Sequence, residues 1–141
     1  MSTAFPNLFS PIKLGNYVLR NRIMNSGHAA HYQKGNGTPS DAYAYYVRER
    51  AKGGAGIIVA GHTVPVYDGE LSLSLTNYSD SQSEAFKKMA DGAHEFDTPI
   101  LAQLGHRGRR VMDSGAFHGR AIVAPSAVPT PEYSVPMIMP H

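Results

Sequence analysis

Cysteine is absent from the chain. That excludes disulfides, thiolate metal sites and a cysteine nucleophile within these residues, and it fits a reducing compartment. Charge of one sign is also lacking. The net charge is only +2, and the 13 Lys and Arg are spread along the sequence with a single cluster at Arg107, Arg109 and Arg110. A nucleic-acid surface therefore has little electrostatic support. The opening MSTAFPNLFSPIKLG has no basic stretch followed by an apolar one, and no apolar run approaches membrane-spanning length. The expectation is a cytoplasmic protein with no membrane partner. Solenoid-length internal repeats are missing as well.

What is present fits one globular α/β unit, with 42% hydrophobic and 17% charged residues over 141 positions. Residues 8–26 alternate apolar and polar around Gly15-Asn16, which predicts a hairpin leading into a short strand at Ile23–Ser26. The segment TPSDAYAYYVRERAKGG predicts a helix capped by Thr38, with Pro39 in its first position, Asp41 closing a capping box and Gly53 stopping it. Tyr43, Tyr46, Val47 and Ala51 share one face. GIIVAG, apolar and β-branched, predicts a strand buried on both faces of a parallel sheet. A second helix is predicted in SQSEAFKKMADGAHEF, with Ser81 and Glu84 as its capping box and Ala85, Phe86, Met89, Ala90, Ala93 and Phe96 facing inward. The strand ILAQL follows. From Arg110 onward, Pro and Gly predict an extended loop.

The order hairpin, β, α, β, α, β leaves two architectures. An open dinucleotide-binding sheet wants G-x-G-x-x-G after its first strand, whereas that place reads SGHAAH. The long loops follow the strands and the short ones follow the helices, as at the ligand-binding face of a barrel. A complete eight-stranded barrel needs about 200–250 residues. The expected fold is thus α/β, the N-terminal part of a TIM (β/α)8 barrel comprising about three βα units and a bottom hairpin. Residues 1–141 would form a partial domain truncated before strand four.

His28, His62 and His106 fall one to two residues past the three strand ends and so should line one rim. Gln103 is a polar side chain inside an apolar strand. A buried amide without partners costs about 1–3 kcal/mol, and a flat ring presenting adjacent carbonyl and N–H groups would satisfy both of its ends. By spacing alone, a strand glutamine bonded to backbone or water fits equally well. His28 and His31, spaced H-x-x-H, raise a second reading, a metal-dependent barrel hydrolase, although the H-x-H of that class and a nearby carboxylate ligand are missing. A third is a non-catalytic truncated remnant. Arg22 is expected to be structural, and His106 and Arg109 to brace their loop.

The phrases LFSPIKLGNYVLRNRI, YYVRERAKGGAGIIVAG, AQLGHRGR and APSAVP, in this order, resemble the N-terminal part of the old yellow enzyme family of FMN-dependent oxidoreductases. They are most similar to its branch with 2,4-dienoyl-CoA reductase and the trimethylamine and histamine dehydrogenases. The resemblance implies an FMN-binding barrel in which the main chain of Ser26, Gly27, His28 and Ala29 lies along the flavin near N5 and O4. Gln103 then matches the residue that binds the pyrimidine end, His62 stands where a small residue meets the cofactor, and His31 reaches the substrate side. Ala29 replaces the cysteine that carries the covalent flavin bond in the amine dehydrogenase branch, so FMN would be held non-covalently, and Gly27 replaces a common proline. NAD(P)H is the implied electron donor, and an activated alkene, enoyl thioester or amine the substrate. No metal site is implied. The family's catalytic residues, its phosphate groove and any iron–sulfur cysteines lie beyond residue 141, so the segment alone should be inactive, with room for a homo-oligomer or a completing chain.

Overall fold

The structure is a computed structural model and describes residues 4–64, 75–76, 79–106, 108, 123–129 and 137–138. Its first element is the expected hairpin, β1 (Ile12–Leu14) against β2 (Tyr17–Leu19), with Ile12 opposite Leu19 and Leu14 opposite Tyr17. Gly15 makes the turn at φ +58°, a conformation that a side chain disfavours.

Beyond the hairpin lie β3 (Met24–Asn25), α1 (Asp41–Lys52), β4 (Ile57–Val64), β5 (Leu75–Thr76), a 3-10 turn (Asp80–Gln82), α2 (Ser83–His94) and β6 (Ile100–Leu104). β3 and β6 flank β4, both parallel to it. β5, inside what the sequence suggested was a plain loop, adds a further parallel pair, Thr63 with Leu75 and Val64 with Thr76. Because Thr63 pairs with both β5 and β6, β5 occupies the β3-side edge beyond the end of β3. Another departure comes late in the chain. Val123–Ala124 (β7) pairs parallel with Met137–Ile138 (β8) in the stretch expected to be extended loop.

Both helices cover one face of the sheet. Ile58 and Ala60 of β4 join Tyr43, Ala44, Val47 and Ala51 of α1 and Met89 and Ala93 of α2 in one apolar cluster, following the predicted helical stripes. The opposite face looks toward the hairpin, where a cavity of about 750 Å³ opens between Leu14, Tyr17 and Leu19 on one side and Ile57 and Leu101 on the other. Helices on one face only is the layering of a barrel wall; a doubly wound sheet carries them on both. No helix among the described residues is long and apolar enough to cross a membrane.

The helix starts differ from expectation. Ser40, not Thr38, caps α1 by accepting from the Tyr43 amide, and its hydroxyl donates to the Tyr32 carbonyl. Thr38 is buried and accepts instead from the Gln82 amide at 3.2 Å. Ser79 rather than Ser81 caps the turn ahead of α2. At the other end of the fold, Arg20 stitches the base together. Its guanidinium donates to the carbonyls of Ala51, Ala55 and Phe96 and to the Thr98 hydroxyl, all at 2.8–2.9 Å. These acceptors cluster where both helices end, so a cation there also meets the negative ends of two helix dipoles. Asn21 bonds the Gly54 carbonyl and the Ile23 amide, and Arg22 reaches Ser10, in keeping with a structural role.

Candidate functional site

The site lies at the carboxyl ends of β3, β4 and β6, the end at which parallel α/β sheets meet ligands. Gln103 arches from β6 across Val59 of β4 toward the exit of β3. A Cβ built on Gly27 would stand 2.7 Å from Gln103 Oε1 and 3.3 Å from Val59 Cγ1. The carboxamide is exposed, and among the described residues it has no hydrogen-bond partner. Its two N–H donors and its carbonyl are therefore open beside the main chain of Gly27.

His62 is not past the end of its strand, as expected, but inside it. Ala60 pairs with Ala102 and Thr63 with Leu104, so a bulge makes two residues, Gly61 and His62, oppose Gln103 alone. Strict alternation would send His62 to the helix-covered face with Ile58 and Ala60. The extra residue turns it to the face that carries Gln103, a re-aiming that bulges commonly perform. The half-buried His62 ring lies across Gly105, where a Cβ would collide with it.

Gly61 performs a different task. A Cβ there would run into the main chain of His28, so the segment that leaves β3 approaches β4 more closely than a side chain allows. On its helix side the Gly61 backbone meets the buried Tyr43 phenol, whose pKa is raised by burial, with the Gly61 hydrogen bond acting in the opposite direction.

The histidine rings do not converge. His28 turns to its own neighbourhood, with Nδ1 3.0 Å from the Ser26 carbonyl and Nε2 2.5 Å from the Tyr46 hydroxyl. What His28 brings to the rim is its main chain. His106 Nδ1 accepts from the Gly108 amide at 2.9 Å and braces its loop. His31 adopts φ +58° with an exposed side chain that makes no hydrogen bond among the described residues. Ser26 and Ala29 are exposed at the exit of β3. Among the described residues, no group of three or more His, Asp or Glu side chains is placed to hold a metal. Arg109 lies outside the described residues.

Sequence reasoning missed Gly61, Gly105 and Tyr46. A glycine within a strand pattern signals close backbone approach, and that signal was available at Gly61. Nothing local marks Tyr46, whose partner is 18 residues away.

The pieces suit FMN at its ring. A Cβ on Gly27 would collide with the Gln103 carboxamide, so glycine there lets that carboxamide, with its matched donor and acceptor ends, lie against the main chain. A profile of the NADH:flavin oxidoreductase / NADH oxidase family matches residues 7–139. The chain is 34% identical over 131 residues to the N,N-dimethylglycine/sarcosine dehydrogenase of Chromohalobacter salexigens, covering 91% of this chain and 19% of that one. It is 35% identical over 130 residues to the NADPH dehydrogenase of Listeria monocytogenes, covering 90% and 37%. Among solved structures, the old yellow enzyme homologue from Zymomonas mobilis superposes with a TM-score of 0.85 at 29% identity, over 96% of this chain and 40% of that one. The chain thus spans between about a fifth and two-fifths of these relatives.

Proposed function

The chain belongs to the NADH:flavin oxidoreductase / NADH oxidase family, and from that premise we propose that it supplies one side of a non-covalent FMN site in a flavin-dependent oxidoreductase, the remaining strands of the barrel closing the other side. One observation carries this reading: the open Gln103 carboxamide stands over Gly27, within reach of the exit of β3.

FMN bound there supplies hydride acceptance and donation. The chain's own part is to bind and orient the ring. Gln103 donates and accepts at the pyrimidine edge, where negative charge gathers on reduction, and fixed donors are worth most there. The main chain of Ser26, Gly27, His28 and Ala29 would offer amides and carbonyls along the adjoining N5 and O4 side. His62, turned inward by the bulge, borders the ring, and His31 sits toward the substrate. Ala29 offers no thiol for a covalent link. NAD(P)H is the proposed electron donor, and a small activated alkene, enoyl thioester or amine the substrate. The named relatives include both an N,N-dimethylglycine/sarcosine dehydrogenase and an NADPH dehydrogenase, which supports both chemistries.

The test is to express the chain together with the strands that complete its barrel. A yellow protein that releases FMN on denaturation is expected. Gln103→Ala should weaken FMN binding about tenfold or more, as loss of two ring hydrogen bonds implies, and leave folding stability unchanged because the side chain is exposed. A well-folded colourless protein, or Gln103→Ala with undiminished affinity, would overturn the proposal.

A further inference from the structure

We propose that Tyr46, on the helix outside the rim, is a positioning residue that acts through His28 to fix the main chain of Ser26–His28, the strip assigned above to the flavin edge. The inference rests on that assignment for its functional consequence, though not for its geometry.

The chemistry of the Ser26 carbonyl determines the arrangement. A carbonyl only accepts, so His28 Nδ1, 3.0 Å away, must carry the proton. In the neutral ring Nε2 is then an acceptor, and the Tyr46 hydroxyl at 2.5 Å donates to it. Tyr46, His28 and Ser26 thus form a directed chain of two hydrogen bonds, from the helix to the strand exit. The two rings meet edge to face, 5.7 Å apart at 63°.

Tyr46 is itself well held. The Arg50 guanidinium stacks on its ring 3.1 Å from the centroid and donates to its carbonyl at 3.2 Å. The rings of Tyr32 and Tyr43 lie 5.5 and 6.1 Å away. On the other side of the strip, the His28 main chain is pressed against Gly61. The strip is therefore gripped from β4 and from α1, and between the anchored Ser26 and His28 stands Gly27, the residue facing Gln103. A glycine has the least intrinsic stiffness of any residue, so at this position the order must come from its neighbours.

Tyr46→Phe removes one hydroxyl and keeps the ring, its aromatic neighbours and the Arg50 stack. His28→Asn keeps a donor near the Ser26 carbonyl and loses the link to Tyr46. In the barrel-completed protein, each variant should weaken FMN binding by about three- to tenfold, the range spanned by one neutral hydrogen bond. Each should also shift the visible absorption of bound flavin while apoprotein melting moves little. The double variant should be no worse than either single one, because both cut the same chain. In the apoprotein, imidazole nitrogen NMR should show His28 as a single Nδ1–H tautomer, turning to a mixture in Tyr46→Phe.

Two results would overturn the inference: additive losses in the double variant, or a His28 tautomer insensitive to Tyr46→Phe. If the completed protein binds no FMN while the tautomer responds as expected, the brace stands and the flavin assignment falls.

Discussion

Among the described glycines Gly61 makes the tightest approach to main chain, and replacing it with alanine probes that approach directly. A Cβ at this position would stand 2.8 Å from the His28 amide nitrogen and nearer still to its carbonyl carbon and oxygen, whereas ordinary contact begins at 3.4 Å. The obstacle is backbone, so no rotamer change relieves it. The His28 main chain, three residues past the end of β3, must move away from β4 by more than half an ångström. Overpacking of this kind costs about 1–3 kcal/mol and more when the backbone is rigid, so a loss of about 3 kcal/mol is expected. That is a large share of the 5–15 kcal/mol typical of a domain. Gly35 is the control, since a Cβ there meets nothing within 4 Å and its φ is not positive. Urea unfolding followed by far-ultraviolet circular dichroism reads the difference. With a slope of about 2 kcal/mol per molar, Gly61→Ala should lower the midpoint by about 1.5 M, and Gly35→Ala by less than about 0.3 M. Equal midpoints for the two variants would refute the reasoning.

Arg20→Ala removes the donor shared by Ala51, Ala55, Phe96 and Thr98 and should cost about 2 kcal/mol in the same assay, since charged donors contribute more than neutral ones. Arg20→Lys should recover less than half of that, because one ammonium cannot fork to four acceptors; full recovery by Lys would refute the multipoint role. Glu95 receives Arg48 through two nitrogens at 2.6 and 2.8 Å, and that hydrogen bond holds its carboxyl below the usual range. Its folded pKa lies under the unfolded one, so its contribution is present above the unfolded value and fades as pH falls through the folded value. Glu95→Gln should therefore be less stable than the parent near neutrality and equal to it in acid, with unfolding midpoints converging below about pH 4. The gap will be small for so exposed a pair, and pH curves that run parallel throughout would contradict the assignment.

Local signals in the sequence carried much of the fold. Gly15-Asn16 between alternating residues marked the hairpin, the helical spacing of Tyr43, Val47 and Ala51 marked the buried face of α1, and the ILAQL strand matches Ile100–Leu104. Gln103 stood out as a carboxamide in an apolar strand and was expected to be buried, whereas the structure leaves it exposed and without a hydrogen-bond partner among the described residues. What escaped was decided at a distance. Thr38 and Ser40 are both cap residues in isolation, and in the fold Ser40 takes the cap while Thr38 accepts from Gln82, 44 residues on, in the interior. The bulge at Gly61–His62 is a matter of register with β6, which no reading of β4 alone contains. β5 is two residues long and depends on the Gly37 carbonyl, which accepts from Thr76 at 2.9 Å.

The Arg20 knot bears on how the chain is made. Its acceptors belong to residues 31 to 78 positions further along, so a polypeptide leaving the ribosome keeps this guanidinium at least partly in water until Phe96 and Thr98 have emerged. Contacts this remote in sequence carry a heavy loop-closure cost and form late. The hairpin is synthesised before both helices, yet it can be fastened beneath the sheet only after the second helix is complete, which makes it among the last of these elements to settle.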